Sequence, residues 1–189
     1  MKKVILVIVS ILVILVILGI SAYFYINYSP TEKAFIHIIS QEVEVFDGKV
    51  WKKATEEMKL EEDYKIKTSQ NGRAAIFLYE SIIIDLDENT ETTLKKLNEN
   101  NIEVAQSLGS TWNKFFKKGS TWNKFFSILG VDSFQVETPT AVAVVRGTSF
   151  EVSLDSILVG SGKLEIISDG NSFSVEEGSK LVKRNRAYV

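Results

Sequence analysis

Side chains able to do acid–base or nucleophilic chemistry are few in this chain, and none stands in a catalytic pattern. There is one histidine, His37, and no cysteine in 189 residues. Without cysteine there is no thiol nucleophile, thiolate zinc site, disulfide or lipid-modified N-terminal cysteine. His37 alternates within Phe35-Ile36-His37-Ile38 with no base or nucleophile motif beside it, which suits a structural or exposed histidine better than a general base. Glu56-Glu57 and Glu61-Glu62-Asp63 are dense carboxylates of the kind a glycan hydrolase pairs across a cleft. Acids adjacent in sequence usually form a solvated face, however, and neither run has calcium-loop spacing. No phosphate-cradling glycine loop precedes a helix, and no metal-ligand constellation occurs. The expectation is a non-enzymatic chain without cofactor or metal, with a cell-envelope polysaccharide-active enzyme as the third of three readings.

Chemistry of binding is better represented. Gly-Ser-Thr-Trp-Asn-Lys-Phe-Phe occupies 109–116 and returns unchanged at 119–126, separated by Lys117-Lys118. Trp112 and Phe115 with Lys114, Lys117 and Lys118 would make an aromatic and basic patch for a membrane surface or a partner protein. The competing reading is an insertion tolerated between strands, one copy packed on the core and one at the surface. In the second copy Trp122, Phe125, Phe126 and Leu129 also suit a short amphipathic helix that ends at Gly130. The tail Lys180, Lys183, Arg184 and Arg186 reads as a solvated basic end. A net charge of −2 and a pI near 5.6 argue against a nucleic-acid partner.

The elements that must position these groups divide at Pro30. Val4 to Ile26 is apolar except for Ser10, Gly19 and Ser21. At about 1.5 Å per helical residue this run reaches roughly 34 Å, enough for a hydrocarbon core of about 30 Å. Lys2 and Lys3 would hold the N-terminus in the cytoplasm, and Tyr23, Phe24, Tyr25 and Tyr28 would mark the far interface. A cleaved signal peptide, with Gly19-Ile20-Ser21 as its cleavage site, fits less well because the apolar run continues past it. The expected organisation is a cytoplasmic stub at 1–3, a membrane-spanning helix at 4–28 and an extracytoplasmic domain at 31–189, periplasmic or extracellular.

Beyond Pro30 strict alternation takes over, as in Glu42-Val43-Glu44-Val45 and Tyr64-Lys65-Ile66-Lys67-Thr68. The same reading puts strands at Ala34–Ile39, Arg73–Tyr79, Ile82–Leu86, Thr90–Lys96, Ile102–Ser107, Phe134–Thr138, Ala141–Val145, Phe150–Leu154, Lys163–Ile167 and Phe173–Val175. Turn residues such as Asp47-Gly48, Asn71-Gly72 and Asp169-Gly170-Asn171 separate many of them. The fold class is all-β, with many short antiparallel strands closing as a sandwich, an open barrel or a short solenoid. Trp51, Ala54 and Met58 fall at helical spacing and suggest one short helix.

From Phe134 to Val152 the chain reads Phe-Gln-Val-Glu-Thr-Pro-Thr-Ala-Val-Ala-Val-Val-Arg-Gly-Thr-Ser-Phe-Glu-Val. Thr138-Pro139 interrupts a strand, because proline donates no ladder hydrogen bond. Alternating small and branched residues then build another strand, Gly147 permits a left-handed turn, and Phe150 and Val152 resume alternation. Arg146 at the strand end could bind backbone carbonyls, a carboxylate or a partner. This stretch resembles the FecR domain family, carried by Thr138, Pro139, Arg146, Gly147, Thr148 and Phe150. Trp51 with Ala54, Leu60 through Thr68, Gly72-Arg73-Ala74 and Leu86 through Glu91 are similar to further blocks in order, so the resemblance runs over roughly residues 40–180. Asp63-Tyr64 stands where the family favours Gly-Asp, and Tyr79-Glu80 precedes Ser81 where Asp-Gly-Ser is usual. The second octamer lies where the family often has a tryptophan-led segment, which makes the first the insertion.

The resemblance implies an envelope β domain of regulators that pass a signal to a cytoplasmic sigma factor through a cytoplasmic N-terminal domain. Only Met1-Lys2-Lys3 precede the expected anchor, so anti-sigma activity is not carried over. The leading expectation is a single-pass protein whose FecR-like domain binds or senses an envelope protein or glycan. A component of a FecR-type signalling system acting through a separate membrane partner is second.

Overall fold

The computed structural model describes residues 12–20, 34–40, 42–79, 81–98, 100–116, 131, 133–145, 147–184 and 187–188. Residues 1–31 and 32–189 are separate compact units. In the first, residues 12–20 are helical and their apolar side chains are exposed. Among the described residues no helix is long and apolar enough to cross a membrane. The expected span of 4–28 otherwise lies outside them.

The second unit is mostly strand. The chain lays down β1 (Ala34–Ser40) in one sheet, then β2 (Val43–Phe46), β3 (Trp51–Lys53) and β4 (Lys65–Thr68) in a second. It returns to the first as the hairpin β5 (Arg73–Leu78) and β6 (Ile82–Leu86), and crosses again for β7 (Glu91–Asn98) and β8 (Asn101–Leu108). A single strand, β9 (Ser110–Phe115), goes back to the first sheet before β10 (Ser133–Glu137) and β11 (Val142–Val145) rejoin the second. The alternation continues with β12 (Ser149–Ser153) and β13 (Ser156–Ser161), β14 (Lys163–Ser168) and β15 (Asn171–Glu176), then β16 (Lys180–Arg184) and β17 (Ala187–Tyr188).

Apart from β3, which folds back outside β2, both sheets grow in chain order, β1-β5-β6-β9-β12-β13-β16-β17 and β3-β2-β4-β7-β8-β10-β11-β14-β15. The packing is that of a sandwich and the progression that of a solenoid. Among the described residues every strand pair is antiparallel except β8 with β10, which become parallel because β9 carries the chain away and back.

Alternation buries one face of each strand. β6 shows its period of two throughout, with Ile82, Ile84 and Leu86 buried and Ile83 and Asp85 turned outward. The inner faces meet in one core, where Phe115 and Phe150 of the first sheet flank Phe134 of the second, with ring centroids 6.1 and 6.3 Å apart. A polar chain runs beside it: Gln106 donates to the Gly109 and Val152 carbonyls at 2.8 and 3.1 Å and accepts from Thr111 Oγ1 at 2.7 Å. Asn113 donates to Thr111 Oγ1 at 2.8 Å. Buried polar groups are tolerated inside a sandwich when they are bonded to one another in this way.

The expected helix around Trp51, Ala54 and Met58 is not formed. Trp51 pairs with Phe46 in a β2–β3 hairpin, and the Ala54 N–H bonds the Val43 carbonyl at 2.8 Å. The chain then runs along β1, where Met58 accepts from the Ile36 N–H at 3.1 Å and Leu60 donates to Ala34 at 3.0 Å. Glu56 completes this cover, accepting from the Ile38 N–H at 2.9 Å and contacting His37 Nδ1. An otherwise open sheet edge outcompetes a weak helical pattern for these backbone groups.

At the hairpin tip the Asp47 carboxylate accepts from the Val50 N–H, Lys52 Nζ and the Lys49 N–H at 3.1, 3.0 and 3.1 Å. These donors, the Val50 amide first, hold its pKa at about 2, below the ordinary 3.8. A depressed carboxylate pKa stabilises the fold above the unfolded value, and the benefit disappears as pH falls through the folded one. The Asp47→Asn protein should therefore melt below the parent at pH 6, and the gap should close between about pH 4 and pH 2. A gap that persists at pH 2 would assign it to something other than the ionised carboxylate.

The position where the family favours glycine keeps a glycine-like backbone: Asp63 has φ +67°. Tyr79, in the second departure, has φ +50°. An L-residue there costs about 1 kcal/mol relative to glycine, offset in part by glycine's greater unfolded entropy. Asp63→Gly should raise the melting temperature by a few degrees in a calorimetric scan.

Candidate binding site

The first octamer forms β9, which lies between β6 and β12 in the interior of the first sheet. It is not an appended insertion, contrary to the expectation. Thr111, Asn113 and Phe115 point inward, and Ser110, Trp112 and Lys114 outward. Phe115, expected in an exposed patch, is 5% exposed and belongs to the aromatic core. The reason is parity: residues two apart share a face, so Phe115 follows Asn113 inward while Trp112 and Lys114 stay outside. Lys117, Lys118 and the second octamer, with the helix expected there, lie outside the described residues, as does Arg146.

Strand pairing gathers charges around Trp112 that are remote in sequence. Asp85 of β6 stands directly opposite it on one side and Glu151 of β12 on the other. Lys114 Nζ reaches Asp85 at 3.0 Å, Arg73 Nη2 reaches Asp87 at 2.8 Å, and Ser110 Oγ donates to Glu151 at 3.1 Å. With Ile39 and Leu86, all of these residues except Lys114 line a groove of about 370 Å³. The indole extends along the sheet toward β13, where a methyl group on Gly160 would stand 3.0 Å from Trp112 Cζ2 and Cη2. A side chain at residue 160 would thus displace the ring. A hollow of about 500 Å³ on the second sheet is larger, but its lining among the described residues, Val144, Lys163, Glu165, Ser172 and Ser174, includes no aromatic side chain.

Of the expected contact residues that are described, Trp112 lines the groove and Lys114 meets it only through its ion pair with Asp85. Asp85, Asp87, Arg73 and Glu151 were not anticipated, although the outward parity of Asp85 and Glu151 was readable within their own strands. Their assembly required the cross-strand register.

Thr138 to Phe150 builds two corners of the sandwich. Thr138 Oγ1 accepts from the Ala141 N–H at 3.0 Å and closes the turn through Pro139 that joins β10 to β11. Gly147, at φ +66°, precedes the return to the first sheet. Thr148 Oγ1 then bonds the Lys163 carbonyl at 2.7 Å, and Phe150 is fully buried. None of these described side chains lines the Trp112 groove.

His37 lies on β1 against Glu56, and among the described residues no cluster of His, Asp or Glu could hold a metal ion. Fold and groove together define a two-sheet β domain with an open polar and aromatic surface. The chain belongs to the FecR protein family, whose sequence model matches residues 64–179. Two crystal structures of a protein provisionally assigned as an anti-sigma factor, from Parabacteroides distasonis ATCC 8503, have similar folds. Both superpose with a TM-score of 0.53 at 16% and 17% identity, over 64% of this chain and 55% of theirs. At that identity the likeness establishes the fold alone. No match is found among curated proteins.

Proposed function

We propose that the chain is a membrane-anchored, non-enzymatic protein that presents its FecR domain outside the membrane for binding or sensing, with the Trp112 groove as its contact surface. The supporting observation is the groove itself: Asp85, Asp87 and Glu151 lie on an open sheet face, two of them in ion pairs, around an aromatic ring. That arrangement recognises, whereas hydrolysis calls for a water-excluding cleft around an acid and a base. The apolar run from Val4 to Ile26 supports the anchor, and Lys2 and Lys3 its cytoplasm-in orientation.

A photocrosslinking residue placed at Ile39, exposed at the rim of the groove, tests the reading in intact cells. One dominant envelope species should be captured there, absent with the crosslinker at Thr93 on the second sheet and lost with Trp112→Ala. Equal capture at both positions would reject the groove.

Family membership favours a second reading, a regulator that signals through a separate membrane partner. Replacing residues 4–28 with an unrelated spanning helix separates the two. Display for binding should survive the exchange, and lateral signalling should fail.

A further inference from the structure

We infer that the groove takes a neutral oligosaccharide, one pyranose ring stacking on Trp112 and the hydroxyls of the chain reaching the carboxylates that line the groove. The inference rests on the reading of the groove as the contact surface and names its ligand class.

Geometry supplies the first argument. Asp85, Trp112 and Glu151 are direct neighbours on three adjacent strands. Strands are spaced about 4.8 Å apart, so the two acidic positions are about 10 Å apart with the Trp112 backbone between them, and the ring leans across β12 toward Gly160 of β13. A flat sugar placed over the ring would offer its C–H face to the aromatic surface and equatorial hydroxyls to Glu151 beside it, with the next ring of the chain directed toward Asp85. Gly160 leaves the ring room to extend along the sheet.

Charge supplies the second. Asp85 is matched by Lys114 and Asp87 by Arg73, while Glu151 has a neutral partner in Ser110. An anionic ligand would meet the uncompensated Glu151, and a ligand with more than one positive charge would have to break one of the two ion pairs. Neutral hydroxyls can use the remaining lone pairs of the carboxylates and the remaining donors of Arg73 without doing so. An anionic lipid surface would meet three carboxylates, which disfavours membrane docking through this face. A peptide adding a strand would need an open edge, and β9 is paired on both sides.

The test uses the full chain in detergent micelles carrying Trp51→Phe and Trp122→Phe, which leaves Trp112 as the sole tryptophan. Titration with a hexamer of β-1,4-linked N-acetylglucosamine or of β-1,4-linked glucose should give a saturable change in its emission. Glu151→Gln and Asp85→Asn should each weaken binding at least about tenfold, the loss of one charge-assisted hydrogen bond, with unchanged melting. Flat titrations with both sugars, binding undiminished in the two variants, or tighter binding of a lysine-rich peptide would each overturn the saccharide. If the sugars fail while crosslinking at Ile39 captures a protein, the contact surface stands and only its ligand class falls. If both fail, the reading of the groove falls with it.

Discussion

Deleting residues 109–126 should abolish folding, whereas deleting 109–118 alone should leave a protein that melts within a few degrees of the parent. The long deletion removes β9 from the interior of the first sheet. β6 and β12 would each lose a partner along their length, and Phe134 would lose the Phe115 ring 6.1 Å away. The short deletion joins Leu108 to Gly119 and restores the octamer letter for letter. Glycine then returns to the tightest point, where at Gly109 a Cβ would stand 2.3 Å from Thr90 Oγ1 and 2.5 Å from Thr90 Cα, at φ +78°. Threonine, asparagine and phenylalanine return to the inner face, and tryptophan and lysine to the outer one. The remaining connection, 127–132, can extend to about 20 Å at about 3.3 Å per residue, against a separation of about 10 Å between packed sheets. Its shortening changes loop-closure entropy by less than about 1 kcal/mol. Circular-dichroism melts of the two variants decide the matter. Equal loss of the cooperative transition in both would show that the octamer alone does not specify the strand.

Phe150→Ala should cost about 3–5 kcal/mol in urea unfolding, the range for truncating a buried phenylalanine. The side chain is fully buried, and its centroid is 6.3 Å from that of Phe134 at the middle of the aromatic cluster. Alanine would leave a cavity whose walls are held by ladders on both sheets, so little collapse can offset it. Domains of this size are stable by about 5–15 kcal/mol, which makes the loss a third or more for most of that range. Trp112→Ala, on the outer face of the neighbouring strand, should cost far less. Similar costs for the two would contradict the assignment of inner and outer faces.

How much the sequence disclosed depended on whether alternation was visible. β6 is legible because Ile82, Ile84 and Leu86 are apolar and Asp85 is not. β9 hides the same parity, since its inner positions are Thr111, Asn113 and Phe115 and its outer positions include Trp112. The inward Asn113 donates to Thr111, which in turn donates to Gln106, side-chain contacts that composition does not announce. β3 shows helical spacing in the sequence because its segment is short and its strand character comes from pairing with β2. The corners at Thr138 and Gly147 were readable from proline and glycine, whose backbone limits hold in any context. The groove was half readable: Trp112 and Lys114 stood out in the repeated octamer, but nothing local to Asp85 or Glu151 reveals that both stand beside Trp112.

Growth of both sheets in chain order also sets how the domain would transmit tension. If the N-terminal side is held and a ligand in the groove is pulled, force in the first sheet crosses the β1–β5, β5–β6 and β6–β9 ladders in series. Glu151 brings β12 into that path through the β9–β12 ladder, and strands from β13 onward lie beyond it. A mechanical pull would therefore divide the sheet at β12, straining its early strands and leaving the later ones slack.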